Sequence, residues 1–197
     1  MALSGSQLGG FIDSTLVHMG SKGNNRTVFC NAVGAGVVMS IVGQSFTTID
    51  AGLTPGSGIG TGTGITGLNI HNMIEVAISE MPSTGHNARK LFYAIMKGVI
   101  EELANATLTT TDTPVYLGKG DIVVGSILVI ETVMALNIFS QLQTIGANGS
   151  NLMPLAKAIA AGIAREIISD GGGSVTIVGT PTGIPVIGVG TGSGTIS

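Results

Sequence analysis

The chain has 197 residues, of which 44% are hydrophobic and only 10% charged, with 32 glycines and a formal net charge of −3. The acidic balance leaves no basic patch to neutralise phosphates, which argues against nucleic acid as a partner, and the single cysteine, Cys30, excludes an internal disulfide framework. Soluble domains carry about 25% charged residues, so a 19.7 kDa monomer with so few would be prone to associate, which predicts an obligate assembly.

In chain order, the first 65 residues predict a helix over 4–19, a break at Gly23-Asn24-Asn25, a second helix over 26–44 and a Thr-rich strand at 45–49. A Thr54-Pro55 step and a glycine ladder over 58–64 follow. The same plan recurs. Residues 66–125 predict helices over 67–80 and 88–105 about a break at Gly85-His86-Asn87. A strand at 107–111, Thr113-Pro114, and a hairpin of 115–117 with 122–124 about the turn 118–121 complete that copy. Residues 126–197 predict helices over 126–144 and 152–168 about Gly149-Ser150-Asn151. A strand at 174–178, Thr180-Pro181 and a second ladder over 188–194 end the chain. The three Asn residues lie 62 and 64 positions apart, so one module of about 62 residues is written three times.

Two features of the module invite physical readings. Asn25, Asn87 and Asn151 stand where an N-cap should accept a backbone N–H, after a glycine free to leave the preceding helix through a left-handed C-cap. Each second helix then carries an apolar stripe beside a pair of small residues, Ala32 and Gly36, Ala94 and Gly98, Ala158 and Gly162. Glycine inside a helix costs about 1 kcal/mol relative to alanine. Its recurrence predicts close approach of another backbone, either among these three helices or from a neighbouring subunit. The ladders Gly60-x-Gly62-x-Gly64 and Gly190-x-Gly192-x-Gly194 would give one bare face to an extended strand, and such a strand could dock on another subunit. The fold expected is α+β, one domain over 1–197 in which three helix pairs, each followed by a strand or hairpin, share one core.

Reactive chemistry is sparse. The ladders contain no Gly-Lys-Ser/Thr and no βαβ context, so neither is a phosphate-binding fingerprint. His18, His71 and His86 show no three-ligand spacing; only His71 and Glu75 share a helical face. Glu102 and Glu166 occupy one repeat position, as do Glu101 and Arg165, which reads as a solvated or inter-subunit face. Cys30 lies in an apolar stretch where a thiol is inert. No secretory signal is legible at the start, and sequons at Asn25, Asn105 and Asn148 read as chance. The uncharged stretches Thr27–Ile49 and Thr132–Ala156 raise a membrane-spanning reading. Charges at the matching positions of the other copies weigh against it.

The opening Met1-Ala2-Leu3-Ser4-Gly5-Ser6 and the ladders at 58–64 and 188–194, in so weakly charged a chain, resemble virion structural proteins of tailed bacteriophages, such as neck, tail or capsid-accessory components. The resemblance implies a non-enzymatic subunit without cofactor or metal, self-assembling with other copies and other structural proteins in the virion after synthesis in the host cytoplasm. It transfers no functional residue. Two other readings stand beside it: a small integral membrane or pore-forming protein, and an anion- or nucleotide-binding module using the glycine-rich loops.

Overall fold

The apolar stripes at i, i+4 fold as helices and the Thr- and Gly-rich stretches as strands. A computed structural model describes residues 3–52, 58–65, 67–82, 85–112, 120–170, 175–179 and 188–196. Repeat one supplies α1 (Gly5–His18), α2 (Arg26–Ile41), β1 (Ser45–Gly52) and β2 (Gly58–Thr63). Repeat two supplies α3 (Ile70–Ser79), α4 (Ala88–Leu103), β3 (Thr107–Asp112) and β4 (Gly120–Leu128). Repeat three supplies α5 (Glu131–Thr144), α6 (Leu152–Asp170), β5 (Val175–Gly179) and β6 (Gly188–Ile196). The three Thr-Pro steps and residues 115–117 lie outside the described residues.

Each helix packs against the next in chain order, and α6 returns to pack against α1, so the six close into a ring. Among the residues whose burial is described, the core belongs to this ring, and outside the helices only Leu3, Ile65, Ala106, Ile127 and Val129 join it. That finding corrects the expected fold class. The body is mostly helical, not an α+β fold in which strand hairpins are built into each repeat and share its core. The described strands do not remain as three separate hairpins either. They pair antiparallel in the order β1-β2-β3-β4-β5-β6, and β6 returns to β1 to close a barrel drawn from all three repeats.

Register explains the ladders. Gly62 pairs with Leu108, which pairs with Ile127, and Asp50 pairs with both Gly60 and Gly190. Directly paired residues share a face, so Gly60, Gly62, Gly190, Gly192 and Gly194 lie on the same side as Ile127. Ile127 is buried while its neighbour Leu128 is 56% exposed, which makes that side the inside. An eight-stranded barrel is just wide enough to be filled by side chains. Six strands enclose less, and bare glycine faces let them close.

Two helix boundaries also differ from expectation. Residues 126–128 end β4, and α5 begins only at Glu131, because Ile127 and Leu128 pair with Leu108 and Thr107. Helix α3 begins at Ile70, one turn later than α1 and α5 measured from their triplets, because Asn69 caps it there. The side chain of Asn69 accepts the N–H groups of His71 and Asn72 at 3.0 and 3.2 Å.

Candidate functional site

The Gly-x-Asn triplet is a turn whose backbone, more than its side chain, opens the second helix. The carbonyls of Gly23, Gly85 and Gly149 accept the N–H groups of Arg26, Ala88 and Leu152 at 3.3, 2.9 and 3.3 Å. Those of Asn25, Asn87 and Asn151 accept from Phe29, Leu91 and Leu155 at 2.9, 3.0 and 3.0 Å. The expected side-chain cap is absent at Asn25 and Asn87. Nor does the triplet glycine terminate the preceding helix. Gly20 and Gly146, three residues earlier, take φ of 78° and 82°. The following N–H groups of Ser21 and Ala147 reach back to Leu16 and Leu142. These glycines, rather than those of the triplets, were the sequence signal for the helix ends. In repeat two the same position is Pro82, which stops a helix by another route.

The small-residue pairs mark the joints of the ring. Ala32, Ala94 and Ala158 are fully buried. A Cβ at Gly36 would stand 2.6 Å from the Met73 carbonyl oxygen on α3, and one at Gly98 would stand 2.5 Å from the Ile138 backbone on α5. At Gly162 it would meet the Ile12 nitrogen on α1 at 2.9 Å. Each notch therefore receives the first helix of the next repeat, the third notch receiving α1, rather than another second helix. Gly5 and Gly9 on α1 pack in the same manner against Gly34, Ala35 and Asn31 on α2, a second small-residue seam.

Glu102 and Glu166 are buried, which corrects the expectation of a solvated or inter-subunit face. Glu102 accepts the N–H of Ile130 at 2.8 Å, and Glu166 that of Ser4 at 3.0 Å. Both atoms lie at the start of the next repeat's first helix, so each carboxylate meets an orphan donor and the positive end of a helix dipole. The equivalent residue of α2 is Ser40, and the first helix that follows it, α3, carries its own side-chain cap at Asn69.

At the end of the ring where α2, α4 and α6 begin, a depression of about 900 Å³ opens. Its apolar floor includes the equivalent residues Phe29, Leu91 and Leu155, and its walls are the turns at 20–26 and 148–151. The barrel extends from the opposite end, since β1, β3 and β5 follow directly from those three helices. Arg26 at the rim is already engaged, its Nε 2.6 Å from Asp13 and its Nη1 donating to the Ser21 carbonyl at 2.9 Å. Lys22 is exposed.

Elsewhere the described residues bring little reactive chemistry together. Burial pushes the Cys30 thiol up to about 12, leaving it protonated and a poor nucleophile at neutral pH. Glu75 is held below the usual carboxylate range by its hydrogen bond from Arg89, with His71 at 3.8 Å, all on the surface. His18 hydrogen-bonds the Ser14 carbonyl, and His86 is exposed. Among the described residues no group of three His, Cys, Asp or Glu could hold a metal ion, and no described helix is long and apolar enough to cross a membrane. The glycine ladders are strands rather than loops opening a helix, so their backbone donors serve the barrel. Compared with known proteins, the chain matches no family model, no curated sequence and no solved structure.

Proposed function

We propose that this chain is a non-enzymatic structural subunit that self-assembles into a multi-copy particle, most simply a component of a tailed-bacteriophage virion. The observation that carries the reading is the exterior. The chain exposes 9910 Å². Of its nineteen charged residues, Glu102 and Glu166 are buried, so at most seventeen serve that surface. So weakly ionised an exterior is stabilised by being covered with other protein. The closed ring and barrel suit a building block: they satisfy themselves and leave only outer faces for partners. The virion assignment rests on the sequence resemblance described above.

Sedimentation velocity between 1 and 100 µM tests the assembly. The expected result is a concentration-dependent species at a multiple of 19.7 kDa. A single 19.7 kDa species across that range would overturn it. Stoichiometric recovery of the chain in purified phage particles tests the virion assignment, and recovery only in soluble host fractions would remove it.

A further inference from the structure

Repeat three departs from the other two at one surface. Leu128, Ile130, Val133 and Leu136 are 56, 52, 39 and 56% exposed and run from the end of β4 along α5 at i, i+3 and i+6. Counting back from each triplet Asn, the positions matching Ile130, Val133 and Leu136 are Ser4, Gln7 and Gly10 in repeat one, and Thr66, Asn69 and Asn72 in repeat two. The module thus folds with polar or small residues there, and nothing in the fold asks for large apolar ones. Within 128–144 the only charge is Glu131.

We infer that this stripe is a twofold contact onto the same stripe of a second copy, a reading that rests on the self-assembly proposed above. The stripe occurs once per chain, so a contact that sets it on itself closes after two copies. Self-pairing covers two stripes at once with one apolar surface against another. A head-to-tail contact would instead set it against one of the smaller exposed apolar sets among the described residues, Val17 with Met19, Met39 with Val42, or Tyr93 alone. Ordinary interfaces bury roughly 800 Å² per partner with an apolar centre and polar rim. Four half-exposed side chains with a single carboxylate among them supply such a centre, and the polar ends of α5 supply the rim.

The triple variant Ile130→Ser, Val133→Gln, Leu136→Asn borrows residues already used at matching positions, so the helix survives, as circular dichroism would verify. Sedimentation velocity should show the smallest associating unit falling from dimer to monomer, with the dissociation constant raised at least a hundredfold. In a second arm, Leu136→Cys should form a disulfide-linked dimer on mild oxidation, while Val17→Cys should not; the native Cys30 is buried and contributes no background. Wild-type assembly that the triple variant leaves intact would overturn the stripe but not self-assembly. Assembly lost in the triple variant without crosslinking of Leu136→Cys would overturn the twofold. A wild-type chain monomeric throughout would overturn both.

Discussion

Glycines inside the helices of this protein do opposite things. Gly98 lies where a Cβ would come within 2.5 Å of the Ile138 backbone, whereas at Gly10 in α1 a Cβ would meet nothing within 4 Å. Alanine in place of an unconstrained helical glycine gains about 0.5–1 kcal/mol, whereas overpacking against backbone costs about 1–3 kcal/mol. Gly10→Ala should therefore raise stability and Gly98→Ala lower it, read as the shift in urea midpoint. Two shifts of the same sign would show that the joint between α4 and α5 is not tight. The recurrence of Ala then Gly was legible in the sequence because spacing survives in one dimension. The recipient of the notch was not, since a bare position says that something comes close without saying what.

At the scale of the element, helix starts separate backbone from side-chain capping. Asn25 contributes its carbonyl but no side-chain cap, Asn69 caps α3 with its side chain, and Glu102 caps α5 from another helix. Removing Glu102 leaves a part-buried donor at Ile130 without its partner, at about 1–3 kcal/mol. Asn69→Ala should cost about 1 kcal/mol, and Asn25→Ala should stay within about 0.5 kcal/mol. Equilibrium denaturation of the three variants should reproduce that order, and a cost at Asn25 matching that at Glu102 would refute it. Asparagine at a helix start permits a cap without requiring one, so the sequence pointed to the right place and the wrong atoms. The start of α5 was ambiguous for a different reason. Ile127 to Ile130 form an unbroken apolar run that fits strand and helix periods equally, and pairing with β3 decided it.

Over the whole molecule, two closures bind the three repeats together: α6 onto α1 in the ring, and β6 onto β1 in the barrel. The pairs β1–β2 and β3–β4 are each bracketed by helices of successive repeats, so unravelling one helix pair removes strands that its neighbours need. Scanning calorimetry of the dilute protein should show one transition with calorimetric and van't Hoff enthalpies in agreement. Its enthalpy should be on the order of 140 kcal/mol. A separate earlier transition would show that ring and barrel unfold independently. The sequence by itself determined the threefold repetition, the positions of six helices to within a few residues, and the thinly charged exterior, because periodicity and composition are properties of local chain. Only the tertiary structure decided that the described core is mostly helical, that the strands join one barrel, and that Glu102 and Glu166 face inward to helix ends. Those outcomes depend on which surfaces meet, and a repeat written three times leaves open whether each copy packs on itself or on the next.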